Sequence, residues 1–289
     1  MVMISCPILR FAPSPNGRLH AGHAFSALFT ARAAESLGGT FLLRIEDIDP
    51  RRSKAEFDTG IVEDLSWLGL DWPEPAMRQS ARMAAYAAAI ERLKGRNLLY
   101  PCFCSRRVSA GASSATDPDG APLYSGICRH LSEREAAERM ARGERAQWRL
   151  KMDEAVAEAG ALSITEAPAP ALDALWQETA QRPALPSAWG DAVLVRKDTP
   201  TSYHLSVVAD DAAQGVTHVT RGMDLYAATA LHVLVQRILG FPSPVYCHHR
   251  LLLDGEGRKL AKSRRSASLK SLRDGGSTGA DIRRALGFQ

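Results

Sequence analysis

ILRFAPSPNGRLHAGHAFSALFTARAAESLGGTFLLRIEDID, residues 8–49, decides the fold. Ile8 to Pro13 is an apolar run ended by proline and reads as a short buried strand. SPNGRLHAGH then brings turn residues, and AFSALFTARAAESLGG reads as an Ala-rich helix closed by Gly38 and Gly39. Thr40 to Asp49 starts as a second apolar strand and ends in acids. Strand, loop, helix and strand within one short stretch predict a βαβ unit and hence a parallel sheet.

Working outward, Ser53-Lys54-Ala55-Glu56 looks like a capping box ahead of the amphipathic helix FDTGIVEDLSWLGL, and ARMAAYAAAIERLKGRN reads as a third helix. Residues 105–123 read as a loop, 131–160 as charged and helical, and 165–190, rich in Pro and Ala, as irregular connection. AVLVRK and SYHLSVVADD read as strands, with VTHVTRG after them. DLYAATALHVLVQRILG is a helix pattern capped by Gly240, and PVYCHHRLLL is another strand. The tail RRSASLKSLRDGGSTGADIRRALG is basic, with a short helix at its end. The expected fold class is α/β, a Rossmann-type doubly wound parallel sheet. It is split by an inserted subdomain and followed by a short helical C-terminal part. The expected boundaries are 1–99 and 191–245 for the sheet domain, 100–190 for the insertion and 246–289 for the C-terminal region.

Composition narrows the class. The 289 residues are 45% hydrophobic and 24% charged, which excludes a mainly disordered, collagenous or coiled-coil chain. A net charge of +4 is mild and compatible with a nucleic-acid partner. No apolar run reaches the roughly 18 residues of a membrane span, so no membrane partner is expected. The opening MVMISCPIL lacks the charged start of a secretory signal, so the expected location is the cytoplasm. The five cysteines are an odd number, unlike a secreted disulfide framework. Cys102, Cys104 and Cys128 cluster. They are either three unrelated thiols or three of the four ligands of a tetrahedral zinc, with Tyr124 or His130 nearest for the fourth.

Two motifs carry chemistry. In His20-Ala21-Gly22-His23 the i, i+3 spacing puts both imidazoles on the first turn of a helix, whose N-terminus suits a phosphate. Gly22 lets a base or ribose approach the backbone, and two histidine donors can stabilise charge on a reacting phosphate. Lys259-Leu260-Ala261-Lys262-Ser263 holds two of only seven lysines and can close over a triphosphate. Read singly, each motif is equally a pair of surface histidines or a basic patch. Together they would meet at the carboxyl edge of a doubly wound sheet, where such sheets bind nucleotides. Neither a P-loop nor Gly-x-Gly-x-x-Gly is present.

RFAPSPNGRLHAGH, KLAKS and VTHVTRGMDL together resemble the catalytic half of glutamyl-tRNA synthetases, class I enzymes with HIGH and KMSKS signatures. HAGH and KLAKS depart from those signatures but keep both histidines, the glycine and the key lysine. Only 26 residues follow Ser263, so no helical anticodon-reading domain is expected. The chain in this respect resembles the glutamyl-queuosine tRNA(Asp) synthetase family. That resemblance implies glutamate activation by Mg-ATP without tRNA, then transfer to the queuosine base in the anticodon of tRNA(Asp). It implies one zinc held by Cys102, Cys104, Tyr124 and Cys128, with Tyr124 favoured over His130. It implies His20, His23 and Lys262 in catalysis, and Pro13, Gly22, His23, Lys259, Lys262 and Ser263 on ATP. Arg10, Ser14, Glu46, Tyr203 and Arg221 would hold glutamate. A guanidinium fork suits a carboxylate, so Arg10 is expected on a carboxylate and Glu46 on the ammonium. Bland alternatives are a surface Arg10 and an Arg221 paired with Asp224. Arg106, Arg107, Arg264 and Arg265 are candidates for phosphate contacts or simply a solvated basic face. A monomer is expected. The competing functions are a short glutamyl-tRNA synthetase charging a tRNA 3′ end and an inactive tRNA-binding relative.

Overall fold

The computed structural model describes residues 6–105, 115–168, 178–253 and 267–288. The βαβ unit forms as the pattern requires. Strand β1 (Ile8–Phe11) leads through the PSPNG turn to helix α1 (Ala21–Ser36), and β2 (Thr40–Ile45) returns parallel to β1, with Ile8 opposite Thr40. A two-residue strand β3 (Met77–Arg78) extends this sheet beside β2. Between them, α2 (Ala55–Trp67) starts at Lys54, which makes no side-chain cap bond, so Ser53 and Glu56 do not form the expected capping box. Helix α3 (Met83–Gly95) follows and leads into β4 (Leu99–Cys102).

Three further strands are parallel to one another: β6 (Ser163–Glu166), β10 (Val245–His249) and β9 (His218–Gly222). Thr217 joins the two sheets, its N–H donating to Ile8 O at 3.0 Å and its Oγ1 accepting from Ile8 N–H at 2.9 Å. The parallel-sheet expectation is corrected in two places. An edge strand β7 (Ala180–Pro183) runs antiparallel to β6. A separate antiparallel sheet of β4, β5 (Gln147–Leu150) and β8 (Val193–Val195) carries the cysteine segment. The architecture is therefore a mixed α/β one. Because β6 and β7 complete the sheet on β10, the described parts of 165–190 are not irregular connection throughout as their prolines imply, and residues 169–177 lie outside the described residues.

SYHLSVVADD is also a correction: it begins helix α6 (Tyr203–Ala213), not a strand, with α4 (Glu133–Ala141) and α5 (Met152–Ala159) preceding it. Leu205 to Asp211 are all buried, because α6 is packed between α3 and α7 (Ala228–Leu239). A segment buried all round loses the one-sided pattern that distinguishes helix from strand. Helix α7 ends at Gly240, whose left-handed φ of 67° explains the glycine there. The C-terminal helices α8 (Leu269–Asp274) and α9 (Gly279–Ala285) bring Leu269, Ile282 and Phe288 into the core with Phe25, Leu28 and Leu65. No helix among the described residues is long and apolar enough to cross a membrane.

Candidate active site

Parallel strands share one carboxyl edge, and β1, β2, β9 and β10 all end there. A cleft of about 430 Å³ opens at that edge. Its walls include Arg10, Pro13, Ser14, His20, Gly22, His23, Glu46, Tyr203 and Arg221. Every described residue expected on ATP or glutamate thus lines one cleft. Lys259, Lys262, Ser263, Arg264, Arg265, Arg106 and Arg107 lie outside the described residues. The chain on both sides of 254–266 reaches the cleft: Leu251 and Leu252 line it, and Ser268 forms a β-bridge with His20.

The histidine pair is built differently from the first-turn arrangement expected. His20 is the N-cap of α1, in extended backbone, and His23 is the third helical residue. His20 Nδ1 accepts from Gly22 N–H at 3.1 Å, and His23 Nδ1 accepts from His20 N–H at 3.2 Å. Together they form a capping box in imidazole, with ring centroids 4.0 Å apart. A nitrogen that accepts a hydrogen bond carries no proton, so the proton of each neutral ring sits on Nε2. Helix capping therefore fixes the tautomer whose Nε2–H can donate to an oxyanion. A side chain at position 22 would put Cβ 2.9 Å from His20 Cε1, so only glycine leaves that ring in place.

Arg10 is 5% exposed, not a surface arginine. Its Nε and Nη2 donate to Asp211 at 2.8 and 3.2 Å, and Arg44 Nη1 donates to the same carboxylate at 2.7 Å. Arg44 Nη2 reaches Glu46 at 3.3 Å. Burial alone would raise the Asp211 carboxyl pKa, but Arg10 and Arg44 outweigh it and hold it below the usual carboxylate range. For Glu46 burial wins, and its pKa is raised despite Arg44 and Arg10. Tyr203 opens α6, lines the cleft and has its phenol pushed up by burial. Arg221, also 5% exposed, does not donate to Asp224; its bonds go to His248, His232 and Thr229. Asp211, Arg44, His232 and His248 were not singled out from sequence. The usable signal was an arginine inside the apolar strand TFLLRI, since a buried charge needs a partner.

The cysteine cluster forms apart from the cleft. The ligand atoms of Cys102, Cys104 and Cys128 lie within 4.8 Å of one another, with Cys104 Sγ 3.5 Å from Cys128 Sγ. Tyr124 Oη is 3.6 Å from Cys104 Sγ and accepts from Cys128 N–H at 2.7 Å. His130 is exposed. Phe103 N–H and Gln147 Nε2–H donate to the sulfurs of Cys128 and Cys102 at 3.4 and 3.5 Å, as expected around thiolates. Zn–S bonds of about 2.3 Å place tetrahedral sulfurs somewhat under 4 Å apart, so the donor set fits zinc.

The family model described as tRNA synthetases class I (E and Q), catalytic domain, matches residues 8–286. The glutamyl-Q tRNA(Asp) synthetase of Rhodobacter capsulatus is 47% identical over 287 residues, 97% of this chain and 100% of that protein. The chain belongs to the glutamyl-Q tRNA(Asp) synthetase family, within the class I synthetases. As a member of that family it is a ligase of the aminoacyl-tRNA synthetase type. Its likeness extends to longer proteins. The glutamate–tRNA ligase 2 of Methylobacterium sp. is 39% identical over 93% of this chain, which spans 57% of that protein. The crystal structure of a glutamate tRNA ligase from Elizabethkingia meningosepticum, in complex with its amino acid, superposes with a TM-score of 0.69 at 26% identity. That match covers 94% of this chain and 53% of the other.

Proposed function

We propose that this chain activates glutamate with ATP, needing no tRNA for that step, and transfers it to the queuosine base of tRNA(Asp). The observation that carries the reading is the single cleft joining the His20/His23 cap to Arg10, Glu46, Tyr203 and Arg221. The full-length likeness to the Rhodobacter enzyme supports it. In the first step a glutamate α-carboxylate oxygen attacks the α-phosphorus of ATP, and the bond to pyrophosphate breaks. His20 and His23 donate from Nε2 to the phosphate oxygens, Pro13 and Gly22 leave room for the nucleotide, and Lys259, Lys262 and Ser263 close on it. Arg10, Ser14, Glu46, Tyr203 and Arg221 position glutamate. In the second step a hydroxyl of the queuosine cyclopentene ring attacks the acyl carbon, AMP leaves, and an ester forms. Arg106, Arg107, Arg264 and Arg265 serve the tRNA backbone.

The test measures labelled glutamate transfer to tRNA(Asp) with and without queuosine, beside glutamate-dependent ATP–pyrophosphate exchange in the absence of tRNA. Transfer confined to the queuosine-containing tRNA is expected. Transfer that ignores queuosine favours 3′-end charging and overturns the modification reading; no exchange overturns tRNA-independent activation.

The cysteine cluster we assign to a structural zinc, held by the three thiolates and the Tyr124 hydroxyl, which would crosslink the segment between β4 and α4. Cys128→Ala is expected to remove the metal and to cost at least about 3 kcal/mol of stability. Metal content per chain and the urea midpoint check this, and unchanged metal content removes the assignment.

A further inference from the structure

We propose that His232 and His248 are positioning residues that hold Arg221 in the cleft as an uncompensated cation, and thereby set the preference for glutamate over glutamine. The inference rests on the reading of this cleft as a glutamate site.

Arg10 and Arg221 line the same cleft and are equally buried, but their surroundings differ in charge. Arg10 is clamped by Asp211, which also takes Arg44, and Arg44 reaches Glu46. That group sets two carboxyl groups beside two guanidiniums, with Asp211 held as the anion between both arginines. Arg221 instead donates from Nε to His248 Nε2 at 3.3 Å, from Nη1 to His232 Nδ1 at 2.9 Å and from Nη2 to Thr229 Oγ1 at 2.6 Å. Its Cζ lies 5.1 Å from the centre of the Tyr246 ring. Among the described residues it belongs to no ion pair.

A guanidinium has only donors, so the ring nitrogens facing Arg221 must both be lone pairs. The partners on the far sides of the two rings are compatible with that tautomer, and at His248 the partner selects it. His248 Nδ1 lies 2.7 Å from Glu166 Oε1, a carboxylate that accepts from Nδ1–H, so the neutral ring has its lone pair on Nε2. On His232 the guanidinium on Nδ1 puts the proton on Nε2, which lies 3.1 Å from His204 Nδ1 and can donate to it. A proton on either facing nitrogen would set N–H against N–H beside a buried cation. Burial, reinforced by Arg221, keeps His232 well below its usual range and brings His248 down to about 4. Both rings are thus neutral acceptors at neutral pH. They fix the fork without cancelling its charge.

The two charge environments match the two ends of glutamate. The α-amino acid head is a zwitterion and suits the Arg10–Asp211–Arg44–Glu46 group, which offers groups of both kinds. The side chain of glutamate carries −1 and suits Arg221. A glutamine amide would leave that buried cation without an anion, which is the kind of mismatch that gives strong discrimination.

Two isosteric substitutions test this. In His232→Asn the amide oxygen takes the place of Nδ1 as a neutral acceptor; in His232→Asp the same position holds a carboxylate. Exchange kinetics are measured with glutamate and with glutamine for both variants and the unaltered chain. His232→Asn is expected to stay within about threefold in the glutamate KM. His232→Asp is expected to raise that KM at least tenfold, about 1.4 kcal/mol, with the glutamine KM little changed and kcat at saturating glutamate within about threefold. The glutamate-to-glutamine ratio in kcat/KM should fall at least tenfold. His248→Gln and His248→Glu, which repeat the contrast at Nε2, give the same readout should the 232 variants fold poorly. Equal behaviour of the amide and carboxylate variants at both positions, or an unchanged ratio, overturns the proposal. If the unaltered chain shows no glutamate-dependent exchange, the glutamate-site reading fails first and the proposal with it.

Discussion

Asp211→Asn is expected to destabilise the protein by about 3–5 kcal/mol, because it leaves two buried guanidiniums facing a neutral amide. Arg10 and Arg44 are 5% and 0% exposed, so neither can turn to water for compensation. Asparagine keeps the shape, so no cavity is made and the loss reads the charge alone. At roughly 2–4 °C per kcal/mol for a chain of this size class, the melting temperature should drop by about 10 °C. Acid should act in the same direction. The Asp211 carboxyl has a folded-state pKa below its unfolded value, so its contribution is present above the unfolded pKa and is lost as pH falls through the folded one. Urea melts at neutral pH measure the effect, and a loss under about 1 kcal/mol would show that Asp211 is not what holds the arginines.

His20→Asn separates the two tasks we give to the cap of α1. Asparagine is among the best N-cap residues, and its amide oxygen can take the Gly22 N–H that His20 Nδ1 now accepts. Stability should therefore change by less than about 1 kcal/mol. What asparagine cannot supply is the ring Nε2–H on the far side, so glutamate-dependent exchange is expected to fall about 100- to 1,000-fold. Retained exchange would reduce His20 to a helix cap. A matching loss of stability would mean that the ring itself holds the loop.

These two variants also mark the line between what was legible in the chain and what was not. The βαβ unit, α1 and the edge where the motifs meet are local facts, carried by a proline-ended apolar strand, an Ala-rich helix and a second strand. The failures have physical causes as well. SYHLSVVADD misleads because α6 is buried on all sides, and the residues after 165 mislead because an edge strand tolerates prolines. Ser53 looks like a cap, but the working caps at the N-termini of α1, α4 and α9 use His20, Ser132 and Thr278. The cysteine cluster was legible as residue types and open as a site, since nothing in the spacing tells whether three sulfurs come within 4.8 Å.

The sequence by itself determined which chemistry is available: imidazoles at a helix start, a fork of donors at a strand end, thiols in one segment and lysines in one loop. Those choices are local, because capping, strand termination and turn formation are set within a few residues. Only the tertiary structure decided the charge each group carries into the cleft. Arg10 meets Asp211 from 201 residues away and is neutralised, while Arg221 meets His232 and His248 and is not. Charge and protonation depend on burial and on neighbours brought together from distant elements, and no spacing along the chain encodes them.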